Sequence, residues 1–208
     1  IDRSRGLGDV YKRQVIQGGP ETASSLLDLN WDYIFFTGSV NVGKIVATKA
    51  AKFLTPTTLE LGGKNPCVVD QTASIKTTAK RIVWGKFINC GQTCIAPDFI
   101  IVHKKIKTEL LQEMINQIKK LFGNNPKNSN SYGRIISKKH LLYLKSLIKN
   151  EKILYGGEFD LNEKFFEPTI VETNDLDCKV MGDEIFGPIL PLYSCLLYTS
   201  DAADDRVS

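Results

Sequence analysis

The sequence predicts an α/β fold with a largely parallel sheet. Between residues 15 and 194, short apolar runs typical of strands alternate with longer stretches of helical periodicity. The composition is that of a globular protein, with 42% hydrophobic and 24% charged residues in a chain of 208. Collagen-like, coiled-coil and wholly disordered folds are therefore excluded.

The predicted elements follow one another at spacings that suit this class. Strands are predicted at 34–36, 59–61, 67–70, 99–103, 153–155, 169–171 and 189–193. Helices are predicted at 39–53, 77–88 and 105–122, and from an N-cap at Ser137 to residue 148. The helix 39–53 is expected to bury Val42, Ile45, Val46, Ala50 and Phe53. The helix 105–122 is the clearest, since Gly123 ends it and one face is apolar: Ile106, Leu110, Met114, Ile118 and Leu121.

Charge and cysteine content exclude several function classes. The net charge of +4 is mild, and the basic residues are dispersed among acidic ones, so no nucleic-acid partner is expected. No apolar run approaches the roughly 18 residues of a membrane span. The five cysteines are irregularly spaced without a Cys-x-x-Cys pair, which favours reduced thiols over disulfides or a metal site. We therefore expect a cytoplasmic location or, for the full-length protein, the cytosolic face of a membrane.

The two ends of the chain differ from its middle. Residues 1–14 and 195–208 lack an amphipathic period and resemble translated adapter sequence. We expect the chain to be an internal fragment between these adapter-like flanks. The alternative is a pair of native disordered tails.

The first motif is a strand, a glycine turn and a helix start, from Phe36 to Lys44. A helix N-terminus offers unpaired N–H groups to a phosphate, and Gly38, Ser39 and Gly43 would permit a close backbone, a hydroxyl donor and tight helix packing. The alternative interpretation is an ordinary junction in which Ser39 is the N-cap.

The second motif is Leu59-Glu60-Leu61-Gly62-Gly63-Lys64. A carboxylate between two leucines should be partly desolvated, which raises a Glu pKa towards neutrality and suits a general base. The alternative is an exposed Glu60 at a strand end, paired with Lys64.

The third motif, Asn89-Cys90-Gly91-Gln92-Thr93-Cys94, lies between a helix and a strand. Cys94 follows a glycine turn and is well placed to face a cleft as a nucleophile, with Glu60 as the candidate activating base. Cys90 is the rival nucleophile. The alternative for either thiol is a small buried hydrophobe.

The order and spacing of these motifs resemble the aldehyde dehydrogenase superfamily. A fourth match, Glu184-Ile185-Phe186-Gly187-Pro188, is similar to the family's Glu-x-Phe-Gly-Pro motif. The segment from Gly91 to Asp98 looks most like the class 3, fatty-aldehyde branch. The resemblance implies part of a Rossmann-type cofactor domain at 15–59 and an incomplete α/β catalytic domain at 60–194.

The resemblance also implies a mechanism. Cys94 would attack an aldehyde, fatty or aromatic, and after hydride transfer to NAD or NADP, Glu60 would activate the water that releases the acid. The implied cofactor-binding residues are Gly38, Ser39, Gly43, Leu61, Glu184 and Phe186. The full-length protein is expected to be a homodimer and to meet a membrane only through a C-terminal tail, if it has one.

Part of the family's sequence pattern is missing, and two alternative functions share the fold. The family's upstream Pro-Trp-Asn segment is not in this sequence, and the resemblance implies that the chain begins inside the cofactor domain and leaves a sheet edge unpaired. We therefore expect the 208-residue chain by itself to be inactive. A non-catalytic relative, or a CoA-acylating enzyme in which a thiol replaces water, shares the fold. Intact Cys94 and Glu60 argue against the first, and the intact Leu-Glu-Leu-Gly-Gly-Lys motif argues for hydrolysis.

Overall fold

The computed structural model describes residues 14–195, which form two compact units divided between Leu61 and Gly62. The adapter-like flanks predicted at 1–14 and 195–208 lie outside the described residues, apart from Gln14 and Cys195. The unit boundary falls close to the predicted domain boundary. The assignment of the two sides to cofactor and catalytic domains stays a prediction.

The first unit is a βαβ arrangement with one preceding helix. Its elements are α1 (Pro20–Leu26), β1 (Ile34–Gly38), α2 (Val40–Ala51) and β2 (Thr57–Leu61). The strands β1 and β2 pair in parallel, with Gly38 opposite Leu61. Parallel neighbours need a crossover connection, and α2 supplies it.

The face of α2 that packs differs from the predicted one. Gly43, Val46 and Ala50 are buried, at the spacing of one helical stripe. Three predicted core residues are exposed: Val42, Ile45 and Phe53. The prediction was wrong for these three because a glycine, which carries no hydrophobic signal, occupies the stripe that packs.

The second unit contains a five-stranded sheet in the order β3-β4-β9-β8-β5 and a small hairpin of β6 and β7. Its elements are β3 (Pro66–Val69), α3 (Ile75–Phe87), β4 (Phe99–His103), α4 (Lys107–Phe122), α5 (Lys138–Leu147), β5 (Lys152–Tyr155), β6 (Phe159–Asp160), β7 (Phe165–Phe166), β8 (Thr169–Thr173), α6 (Lys179–Gly182) and β9 (Ile189–Cys195). Within the five-stranded sheet of the described residues, β5 runs antiparallel to β8 and the other neighbouring strands are parallel, whereas β6 and β7 of the hairpin pair antiparallel. The predicted α/β class with a largely parallel sheet is confirmed.

The helices of the second unit are amphipathic, as the sequence predicts. Leu110, Met114 and Ile118 of α4 are fully buried, whereas Leu121 is exposed, because the buried stripe ends on Phe122 instead. Ser137 caps α5, and its Oγ accepts the His140 N–H at 3.1 Å. Within residues 14–195, no helix combines the length and apolar character that crossing a bilayer requires.

Candidate active site

The Gly38–Ser39 junction in the first unit is a capped helix start. Ser39 is the N-cap of α2, and its Oγ accepts the Val42 N–H at 3.4 Å. A Cβ on Gly38 would lie 2.5 Å from the Phe36 ring, and one on Gly43 would lie 2.8 Å from Leu61. Both glycines therefore serve close packing. The N-cap interpretation is confirmed, and the same helix end leaves N–H groups available to a phosphate.

Glu60 lies near the carboxyl end of β2. It is opposite Thr37 in the parallel register, so the second motif lies beside the first at one edge of the two-stranded sheet. Glu60 is exposed, and the expectation that its leucine neighbours desolvate it is wrong. Successive side chains of a strand point to opposite faces, so Leu59 and Leu61 lie on the other side of the sheet from Glu60.

In the second unit, Cys94 lies in a loop that follows an unusual backbone turn. Three consecutive residues, Asn89, Cys90 and Gly91, have φ of 50°, 59° and 72°. The left-handed region costs an ordinary residue about 1–2 kcal/mol, whereas glycine and asparagine adopt it more readily, so Cys90 is the strained residue of this turn. The Ala96 N–H then donates to the Thr93 carbonyl at 3.1 Å and closes a turn that presents Cys94 to solvent.

The Gln92 side chain holds the amino-terminal side of this loop. Its Nε2 donates to the carbonyls of Asn89 and Arg134, at 3.1 and 3.0 Å. Its Oε1 accepts the Ile136 N–H at 2.9 Å. The loop before Cys94 is thereby joined to residues more than 40 positions away in sequence.

The two candidate thiols differ in environment. Cys94 is exposed, whereas Cys90 is fully buried. Burial raises the pKa of the Cys90 thiol to about 11. Since the thiolate is the nucleophile, Cys90 is a poor candidate at neutral pH. Its environment matches the buried-hydrophobe interpretation and supports Cys94 as the reactive thiol.

A buried charge cluster, which the sequence analysis missed, lies beneath the loop. Asp98 is 3% exposed and pairs with Lys64 at 2.7 Å and with Lys86 at 3.5 Å. Lys86 is fully buried, and its Nζ has no hydrogen-bond partner among the described residues. Burial lowers the pKa of Lys86 to about 8. The sequence does contain a signal for the burial of Lys86, because helical spacing places position 86 on the same face of α3 as Ala79, Ile82 and Val83.

The Glu184 carboxylate lies against the Gly62–Gly63 backbone. A Cβ added to Gly62 would come within 1.7 Å of a Glu184 oxygen, and the Gly63 N–H bonds this carboxylate. Burial raises the pKa of Glu184. Only glycine at position 62 leaves room for the carboxylate.

The third and fourth motifs meet in the second unit. A Cβ on Gly91 would lie 2.2 Å from the Gly187 carbonyl, and the Ile185 N–H donates to the Asp98 carboxylate at 3.3 Å. Phe186 has a φ of 50°, and its carbonyl contacts His140 Nε2 at 2.8 Å while its ring stays exposed. The structure therefore brings 91–98 and 184–187 together. The roles of these residues, and a shared cleft for Glu60 and Cys94, stay predictions.

Comparison with known proteins identifies the family. A family model described as aldehyde dehydrogenase family matches residues 13–201. Aldehyde dehydrogenase family 3 comG of Dictyostelium discoideum is 52% identical over 176 residues, covering 85% of this chain and 37% of that protein. The dimeric NADP-preferring aldehyde dehydrogenase of Rattus norvegicus is 44% identical over 178 residues, covering 86% of this chain and 39% of that protein.

A solved structure agrees with the sequence comparison. The substrate-bound state of AldH from Staphylococcus aureus superposes with a TM-score of 0.85 at 45% identity, covering 88% of this chain and 40% of that chain. The chain thus spans well under half the length of the relatives it matches.

Proposed function

The chain belongs to the aldehyde dehydrogenase family, in its class 3 branch, and we propose that the protein oxidises an aldehyde to a carboxylic acid with NAD or NADP. The observation that carries the proposal is the pair of thiols in one loop. Cys94 is exposed on a turn fixed at both ends, and Cys90 is buried four residues earlier. An exposed thiol on a rigid support suits covalent catalysis.

In the proposed chemistry, Cys94 is first the nucleophile and then the leaving group. Its thiolate attacks the carbonyl carbon and forms a thiohemiacetal, whose oxidation to a thioester on Sγ would require a hydride acceptor, which a bound nicotinamide would supply. Glu60 takes a proton from water, and the resulting hydroxide attacks the thioester carbonyl, which breaks the C–S bond, releases the acid and returns the Cys94 thiolate, while the proton passes from Glu60 to solvent. The exposure of Glu60 supports access to water.

The residues present fit a nicotinamide dinucleotide, which when bound supplies the hydride acceptor. The start of α2, at Gly38 and Ser39, would hold the pyrophosphate, and Gly43 and Leu61 maintain the packing of that helix on β2. Glu184 presents a carboxylate that could accept ribose hydroxyls, and the Phe186 ring is exposed. The name of the rat relative, NADP-preferring, supports NADP as one candidate.

Three further points extend the proposal. The resemblance of residues 91–98 to the fatty-aldehyde branch supports a fatty or aromatic aldehyde as substrate. The rat relative named as dimeric supports a homodimer of the whole protein. The irregular spacing of the five cysteines supports a cytoplasmic location.

The test replaces each thiol in a chain extended to the length of its relatives. Cys94→Ala should lower aldehyde oxidation by about 10⁴-fold or more, as loss of a nucleophile does elsewhere. Cys90→Ala, the matched control in the same loop, should keep most of the activity. The absorbance of the reduced nicotinamide measures both rates. Full activity in the Cys94 variant would refute the mechanism.

A further inference from the structure

The Asn65 side chain, at the start of β3, binds the loop that carries Cys94. Its Nδ2 donates to the Cys94 carbonyl at 2.7 Å and to the Ala96 carbonyl at 3.1 Å. The Asn65 main-chain carbonyl accepts the Asp98 N–H at 2.8 Å. Asn65 therefore bonds every second residue of the loop from position 94 to position 98, that is, from the nucleophile to the residue before β4.

Apolar packing does not fix the tip of this loop, although Ala96 behind the tip is buried. Cys94 is exposed, and Ile95 at the tip of the turn is 82% exposed. Gln92 holds only the side before Cys94. The orientation of the Cys94 main-chain carbonyl must then depend on polar contacts. The hydrogen bond from Asn65 Nδ2 to this carbonyl is the most direct of them.

The chemistry of the contact requires an amide. Both acceptors are carbonyl oxygens, so the group that faces them must supply two N–H donors, and the Asn65 amide does so. A carboxylate of the same shape would place its lone pairs against those of the two carbonyl oxygens and add a negative charge beside the Cys94 main chain. We infer that Asn65 is a positioning residue that fixes the Cys94 carbonyl and thereby the direction of the nucleophile's side chain. The inference rests on the proposed function, in which Cys94 is the nucleophile.

The first experiment uses the 208-residue chain and needs no turnover. Alkylation of Cys94 by iodoacetamide and hydrogen exchange at the Asp98 amide are followed by mass spectrometry. Asn65→Ala removes the two side-chain bonds to the loop but keeps the main-chain carbonyl that accepts the Asp98 N–H, so exchange at Asp98 should speed up about tenfold through loosening of the loop itself. Asn116→Ala, on the exposed side of α4, is the matched control and should change neither quantity.

The pH profile of alkylation separates positioning from general stability. Asn65→Asp should move the Cys94 profile to higher pH, because a nearby carboxylate disfavours the thiolate. A displacement of about half a pH unit lowers the alkylation rate at pH values below the midpoint about threefold. Asn65→Ala adds no charge and should leave the midpoint closer to that of the parent chain. Asn65→Ser, which keeps one donor, should restore part of the slow exchange.

Cys90 provides an internal control, since its buried thiol is alkylated only when the unit opens. Alkylation of Cys90 together with Cys94 in the Asn65 variants would show a general structural role and overturn the inference. Unchanged exchange and unchanged profiles would also overturn it. In the extended chain, Asn65→Ala should lower kcat/KM for aldehyde about tenfold with an unchanged KM for the cofactor. If the unsubstituted extended chain oxidises no aldehyde, the proposed function fails, whereas the alkylation result stands on its own.

Discussion

Lys86 makes the stability of the second unit change with pH in the alkaline range. Its amine is fully buried on α3, with Asp98 at 3.5 Å and no hydrogen-bond partner among the described residues. Burial lowers the pKa of Lys86 from its ordinary value of 10.5 to about 8, because the loss of hydration outweighs the attraction of Asp98. At about 1.4 kcal/mol for each pKa unit, this difference corresponds to about 3 kcal/mol of unfolding free energy.

The sign follows from which state holds the proton. Between about pH 8 and 10.5, the unfolded chain keeps the Lys86 proton that the folded chain has lost. The unfolding free energy therefore rises with pH across this window, by at most about 1.4 kcal/mol for each pH unit. Below the window both states are protonated and the full penalty of a buried ammonium applies.

The perturbation is Lys86→Met, which keeps an unbranched side chain that is one atom shorter and removes the titrating amine. Guanidinium unfolding, followed by circular dichroism, gives the unfolding free energy of both proteins from about pH 7 to about pH 10.5. The difference, parent minus variant, should rise by about 3 kcal/mol over this range. Lys80→Met is the matched control, because Lys80 lies exposed on the same helix and should give a constant difference.

A direct titration tests the cause. The NMR signal of the Lys86 ε-carbon should change with a midpoint at about pH 8 in the folded chain. A midpoint above about pH 10, together with parallel stability curves for the parent and Lys86→Met, would refute the reasoning.

Two further substitutions test local features of the site and the fold. Gly62→Ala places a Cβ 1.7 Å from a Glu184 oxygen and should raise the KM for the cofactor about tenfold in the extended chain. Steady-state kinetics measures this KM. Gly182→Ala is the control, because no atom lies within 4 Å of the added Cβ, and it should leave the KM unchanged. An unchanged KM in Gly62→Ala would argue against the role of Glu184. Ser137→Ala removes the hydroxyl that accepts the His140 N–H and should lower the unfolding free energy by about 1 kcal/mol, measured by guanidinium unfolding. An unchanged unfolding free energy would show that water replaces the cap.

Features set by local sequence were predicted well. Strand β4 has the predicted bounds, α4 ends where Gly123 follows it, and Ser137 caps α5. Each depends on residues within a few positions, so periodicity and capping preferences suffice. The short α1, α6, β6 and β7 were missed, because elements of two to seven residues show too little periodicity.

Features set by contacts between distant residues were not predicted. The left-handed conformation of Cys90 opposes the preference of its residue type, whereas asparagine at position 89 adopts this region more readily, and the turn is held by the Gln92 contacts to 134–136. Glu60 shows the opposite error, because neighbours in sequence were taken as neighbours in space. In a strand, adjacent side chains face apart, so flanking leucines say little about desolvation.

The order of three parallel strands explains why the motifs of the second unit meet. Asn65, Asp98 and Pro188 each come directly before a strand, β3, β4 and β9, and these strands lie side by side with β4 in the middle. The amino ends of parallel neighbours share one edge of the sheet, so the loops before them must touch. Asp98, on the middle strand, can reach both sides, and it bonds Lys64 before β3 and the Ile185 N–H before β9. A buried carboxylate needs hydrogen-bond and charge partners, and the central position of β4 explains why the segments before both β3 and β9 supply them to Asp98.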